Sequence, residues 1–161
     1  MKTIEIYGRS FTGEAAHLRI ACRGLLIRDK QILLSHEHNT GWYLIPGGGV
    51  EAGESIEEGC IREMREETGF LVEPEELLLT IREGYGDWLY ISHYFLCRER
   101  GQGEQELTDL ERIRGLVPEW VDLTEALAIF AEHTNLAHYE EKRGSYQREH
   151  AALITYLSRQ A

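Results

Sequence analysis

Apolar and polar positions divide the chain into short runs of two kinds, some alternating and some with helical spacing. "TIEIY" (3–7) alternates and predicts a short strand. "HLRIACRGLLIR" (17–28) and "QILLSHE" (31–37) predict two strands joined through Asp29 and Lys30 as a hairpin. "WYLI" (42–45) predicts a further strand, cut off by Pro46 and the glycines at 47–49. "ELLLTIRE" (76–83) and "DWLYISHYFLCR" (87–98) predict two more, separated by the turn "GYG" (84–86). The polar "ERGQGEQELTD" (99–109) reads as a loop, and "PEWVDL" (118–123) as the last strand. Thr124 is expected to cap an apolar helix running to residue 132, and "SYQREHAALITYL" (145–157) has helical spacing. The clearest helix is "SIEEGCIREMREETGF" (55–70). There Ser55 and Glu58 have the spacing of a capping box, worth about 1 kcal/mol, and Gly69 supplies the stop. Neither a repeat nor a linker divides the chain, so residues 1–161 are expected to form one domain, α+β or α/β by element order.

The central helix carries the informative anomaly. With Cys60 at zero on a wheel of about 100° per residue, Ile56, Met64 and Ile61 define an apolar stripe centred at about +25°. Glu67 falls inside it, at about −20°, and Glu63 at its edge. A glutamate-rich helix face is ordinarily solvated, and that reading suits Glu58. It fails for Glu67, because a carboxylate does not share an apolar sector without a partner. Glu63, Glu66 and Glu67 lie one turn apart, where like charges repel by a few tenths of a kcal/mol. A hard divalent cation removes that cost, and oxygen-only ligands favour Mg²⁺ or Mn²⁺.

Composition narrows the partners. Seventeen basic against 28 acidic residues leave a net charge of −11, which argues against stable binding to a nucleic-acid backbone. Three widely spaced cysteines signal neither a disulfide framework nor a zinc site, and each is expected to pack as a small hydrophobe. No apolar segment approaches a membrane span, so a cytoplasmic location is the default expectation. Residues 48–55, "GGVEAGES", come one letter from a phosphate-binding P-loop, with Glu54 where the lysine belongs. At about 4 Å that exchange replaces an attraction of roughly 4 kcal/mol by a repulsion of similar size. A positive group must therefore stand between this segment and any phosphate.

Gly48, Glu54, Arg62, Glu63, Glu66, Glu67 and Gly69 match every polar and glycine position of G-x5-E-x7-R-E-U-x-E-E-x-G-U, with Met64 and Phe70 at its bulky apolar positions. In this the chain resembles the Nudix hydrolase family. The resemblance implies an α+β fold, an α/β sandwich in which a mixed β-sheet is packed between helices. It implies that Glu63, Glu66 and Glu67, with the Gly47 carbonyl, hold Mg²⁺, and that Glu54 and Arg62 form an orienting pair clasping loop to helix. The activity it implies is hydrolysis of the pyrophosphate linkage in a nucleoside diphosphate joined to another moiety. A non-catalytic nucleotide sensor is the alternative, and a homodimer is left open.

The general base stays open between Glu63, Glu67 and a glutamate from a later loop: Glu99, Glu104, Glu106 or Glu111. Tyr85, Trp88, Tyr90 and Tyr94 are candidates to stack on a base, against the ordinary role of strand aromatics in packing. ADP-ribose-type members of the family usually carry a proline downstream of the box, where this chain has Gly84 to Gly86. His36 and His38 share one strand face, which suits either a transition-metal site or polar histidines at a strand end. His93 is expected to be a hydrogen-bonded core or pocket residue.

Overall fold

The computed structural model describes residues 2–160. Its strands are β1 (Thr3–Tyr7), β2 (His17–Arg28), β3 (Gln31–Glu37), β4 (Tyr43–Leu44), β5 (Gly47–Gly49), β6 (Phe70–Tyr85), β7 (Trp88–Gln102) and β8 (Leu116–Asp122). Its α-helices are α1 (Ile56–Thr68), α2 (Asp109–Arg114), α3 (Leu123–Ala131) and α4 (Glu140–Ser158), with a 3₁₀ turn at Glu132–Asn135. The strands run in the order β1-β6-β7-β2-β3-β4, while β5 pairs with β2 and β8 with β3. The β1–β6 and β2–β7 ladders are parallel and the others antiparallel, so the sheet is mixed as expected.

Period-two alternation explains why helices cover both faces. Leu25, Ile32 and Leu34 join Phe130, Tyr146 and Leu153 in one core, beneath α3 and α4. Leu26 and Leu33, the intervening residues, join Cys60 and Met64 of α1 in the other. A central strand buried on both faces reads as a continuous apolar run, which is the pattern of "GLLIR" and "ILL". All three cysteines are free and buried on the α1 side, with the Cys60 and Cys97 sulfurs 3.8 Å apart. Among the described residues no helix is long and apolar enough to cross a membrane.

Several boundaries differ from the sequence expectation for identifiable reasons. β6 starts at Phe70, directly after α1, and absorbs Pro74 at a register shift against β7. An irregularity of this kind is where a strand tolerates proline. β7 continues through Gln102, so the first residues of the expected loop are paired. Gly86 and Asp87 alone form the β6–β7 turn, with Gly86 at a φ of 56°. Thr124 lies inside α3, whose N-cap is Asp122 without a side-chain cap bond. Helix α2 was not foreseen, although Thr108 and Glu111 form a reciprocal capping box around its start. At α1 only half of the box is made: Ser55 Oγ accepts from the Glu58 N–H.

Candidate functional site

The site is built where α1 meets β5. Three consecutive glycines pair with β2 there, and at two of them a side chain would collide with a neighbour as the site stands. A Cβ on Gly47 would lie 2.1 Å from the Cys22 carbonyl oxygen, and one on Gly48 would lie 2.7 Å from the Glu63 carboxylate. β5 thus pairs tightly with Ala21, Cys22 and Arg23 of β2 while admitting Glu63 to its surface. Gly69, at a φ of 79°, ends α1 by donating its N–H to the Arg65 carbonyl. The following segment closes over that helix end. Gln105 Nε2 donates to the Glu67 carbonyl (2.6 Å) and the Glu106 N–H to the Glu66 carbonyl (2.8 Å), satisfying acceptors that a helix leaves orphaned.

Along α1 the wheel needs one change. Ile61 is 40% exposed, whereas Gly59, Cys60, Met64, Glu67 and Thr68 are buried. The covered face is therefore centred closer to Glu63 and Glu67 than an apolar count suggests. Glu67 accepts from Ser35 Oγ (3.2 Å) and from the Gly47 N–H (3.1 Å), both on Oε2. Burial pushes the Glu67 pKa well above the carboxylate range, with Glu63 and Glu111 adding to the rise and Arg23 opposing it. Burial likewise raises Glu63, against the lowering effect of Arg62.

Arg62 ties the loop to the helix. Its Nε and Nη2 donate to the two Glu54 carboxylate oxygens at 2.8 and 3.0 Å, and Nη2 also reaches the Gly49 carbonyl at 2.9 Å. The remaining nitrogen, Nη1, bridges Glu63 (2.9 Å) and Glu66 (3.1 Å). The hydrogen bonds from Arg62 hold the Glu54 pKa below its usual value. Glu54, which stands where a P-loop lysine would, is thus a partner of Arg62. Gly59 lets this loop lie against the helix, since a Cβ there would stand 2.9 Å from Glu54 Oε1.

On the far side of β5 lies a cleft of about 530 Å³. Alternation along β2 points Arg19, Ala21 and Arg23 into it, and alternation along β7 points Trp88, Tyr90 and Ser92. Trp88 and Tyr90 are stacked, with ring centroids 5.7 Å apart and planes 17° off parallel. Tyr85 also lines the cleft and donates to Glu83 at 2.7 Å. Three of the four aromatics singled out for stacking therefore share one cavity. Tyr94 does not: it is fully buried and its hydroxyl donates to Glu149 in the core. Gly48 faces Glu63 and Gly49 faces Arg19, so β5 is a partition without side chains between carboxylates and cleft.

The proposed bases are scattered. Glu99 pairs with Arg28 at 2.8 Å, and Glu104 meets α1 through its backbone carbonyl. Glu106 meets the helix through its N–H, while the Glu111 carboxylate caps α2 at the Thr108 N–H. The Glu111 charge adds to the raised pKa of both Glu63 and Glu67. His93 is half-buried and bonded to Thr80 Oγ1 at 2.9 Å.

Sequence reasoning missed Arg19 and Arg23, although R-x-A-x-R in a strand already places both on one face. Arg23 Nη1 donates to the Ile45 carbonyl (2.9 Å), while its buried Nε has no partner among the described residues. It also missed the buried pair Arg148 and Glu149. Arg148 donates to Glu83 (3.0 Å) and Glu149 (2.9 Å), and Glu149 receives the Ile45 N–H just ahead of β5. The signal was present: one turn before Ala152 and Leu153, both residues sit on the buried stripe of α4.

Substitution of Gly48 tests the partition. Gly48→Ala is expected to fold, because the atom it displaces is the end of a flexible side chain. The shifted Glu63 carboxylate should lower turnover by about 100-fold, the scale of a misplacement of about 1 Å in an active site. Steady-state kinetics alongside thermal melting checks this.

A family model described as "NUDIX domain" matches residues 17–148. An ADP-ribose pyrophosphatase of Methanocaldococcus jannaschii is 40% identical over 65 residues, 38% of each chain. An 8-oxo-dGDP phosphatase of Mus musculus is 45% identical over 60 residues, 37% of this chain and 17% of that protein. The chain thus spans less than half the length of these curated relatives. A NUDIX hydrolase structure from Nitrosomonas europaea superposes with a TM-score of 0.59 at 23% identity, covering 79% of this chain and 90% of that one. Sequence model, fold and the placement of the 48–70 segment agree, and the chain belongs to the Nudix family.

Proposed function

We propose that the protein is a Mg²⁺-dependent pyrophosphohydrolase acting on a nucleoside diphosphate linked to a further moiety. The observation that carries this reading is the juxtaposition across β5 of a carboxylate-rich helix face with a cleft holding arginines and stacked aromatics. The donor types suit a hard cation, and among the described residues the three carboxylates stand further apart than a cluster within 4.8 Å. Glu63 and Glu66 converge on one point now bridged by Arg62 Nη1, and Glu67 keeps Oε1 clear of the bonds that fix Oε2. Glu67, buried near a second carboxylate, is in a setting that a divalent cation relieves. Glu63, Glu66 and Glu67, with the Gly47 carbonyl, would hold Mg²⁺ or Mn²⁺. Bound there, the metal would lower the pKa of water and neutralise phosphoryl charge.

The chain's own residues supply the rest. Arg62 and Glu54 orient the carboxylates. Arg19 makes no ion pair among the described residues, and with Arg23 it offers charge to phosphates across the glycine strand. Trp88 and Tyr90 present an aromatic face to a base, an interaction worth about 1–3 kcal/mol. The relatives named for ADP-ribose and 8-oxo-dGDP share a nucleoside diphosphate, while Gly84 to Gly86 counts against ADP-ribose itself.

The test is turnover of ADP-ribose, 8-oxo-dGDP, nucleotide sugars and dinucleoside polyphosphates with Mg²⁺ or Mn²⁺, with products identified. A nucleoside monophosphate is the expected product. Trp88→Ala should raise KM by about 10-fold with kcat little changed. Nucleotide binding without any product would instead establish a sensor.

A further inference from the structure

We infer that His36, His38 and Glu119 form a second metal site, for a Zn²⁺-like transition cation, separate from the carboxylates of α1. His36 Nδ1 lies 2.9 Å and His38 Nε2 lies 2.6 Å from the same oxygen, Glu119 Oε1. One ligand atom from each of the three residues falls within 4.8 Å of the others. Strand pairing produces this cluster. β3 and β8 run antiparallel with Leu34 opposite Glu119 and His36 opposite Val117, so His36 and Glu119 are diagonal neighbours on one face. His38 lies one alternation further along that face, its N–H bonded to the Gly115 carbonyl at 3.0 Å. Ser35, which holds Glu67, points to the opposite face.

Donor chemistry separates the two sites. Carboxylates suit Mg²⁺, whereas two imidazoles and one carboxylate suit zinc and its neighbours. Metal–ligand bonds of about 2.0–2.2 Å in a tetrahedron place neighbouring donors about 3.4 Å apart. The two N···O contacts are shorter than that and open slightly to admit an ion. His38 is half exposed and free to adjust, while His36 is held by stacking on Tyr43, with centroids 3.8 Å apart and planes 9° off parallel. Three protein ligands leave a fourth position for water. Such an ion would staple β3 to β8, the strand that follows α2.

Co²⁺ is the spectroscopic probe, used on the full chain after chelator treatment. One equivalent should produce the visible absorption of tetrahedral cobalt, displaced by Zn²⁺ and retained in Glu63→Gln/Glu67→Gln. His38→Ala, at a half-exposed position, should weaken Co²⁺ affinity by at least the about 10–100-fold that loss of a supporting partner costs, while Mg²⁺-supported hydrolysis is unchanged. Absence of the band in the wild type, or its persistence in His36→Ala/His38→Ala, would overturn the assignment. The glutamate site stands or falls separately, because its readout is hydrolysis.

Discussion

Arg148→Met is expected to lower stability by about 3–5 kcal/mol, the cost of removing one partner from a buried ion pair. For a chain of this length that is a fall in Tm on the order of 10 °C. Arg148 lies 3.0 Å from Glu83 and 2.9 Å from Glu149, and all three are almost fully buried. Burial acts to lower the Arg148 pKa, but Tyr94, Glu149 and Glu83 outweigh it and hold the guanidinium firmly charged. Without it, two carboxylates remain in the interior with only Tyr85, Tyr94 and the Ile45 N–H to satisfy them. Adding Glu83→Gln and Glu149→Gln to Arg148→Met removes the stranded charge and should recover a large part of the loss, as buried ion pairs replaced whole often do. Thermal and denaturant melts of the single and triple variants decide the point. Equal stability of Arg148→Met and wild type would show that the network contributes nothing.

The consequence extends to the cleft. Glu83, Tyr85 and Arg148 line it, and Glu149 grips Ile45 two residues before β5. A single network on α4 therefore fixes both the wall of the cleft and the chain entering the glycine strand. Loosening it should also reduce turnover.

What was legible in the sequence was whatever depends on local periodicity. Alternation located β2, β3 and the β6–β7 hairpin, and 3.6-residue spacing put Glu67 among apolar neighbours. The box residues of 48–70 then pointed to Glu54 and Arg62, which the structure brings into a two-pronged bond. What was not legible depends on long-range pairing. Nothing local makes three glycines a strand; pairing with β2 does so, and the nearby Cys22 carbonyl and Glu63 carboxylate explain why Gly47 and Gly48 carry no side chain. Ile61 has the spacing of a core residue, yet it stays 40% exposed. Tyr94 shares the even-numbered face of β7 with Trp88 and Tyr90, but deeper in the sheet α4 covers it and Glu149 claims its hydroxyl. Alternation gives the face and not the depth, and depth separates a ligand-stacking aromatic from a core one.

Glu67→Gln should abolish hydrolysis, by about 10³-fold or more, and leave the fold intact. The loss corresponds to about 4 kcal/mol of transition-state stabilisation, within the range supplied by a bound cation's charge. Glutamine preserves the shape of the side chain and can still accept from Ser35 and the Gly47 N–H, so a collapse of β5 is not the expected cause. Stability moves in the opposite direction. Burial raises the Glu67 pKa well above its ordinary value, so at neutral pH the ionised carboxylate is the form the folded protein disfavours. Glutamine removes that charge, and in EDTA the variant should melt no lower than wild type. Added Mg²⁺ should raise the wild-type Tm through preferential binding to the folded state and leave the variant nearly unmoved. A variant that simply misfolds would melt lower in EDTA and lose activity together. One that keeps wild-type turnover would remove Glu67 from the metal site and the metal site from the mechanism.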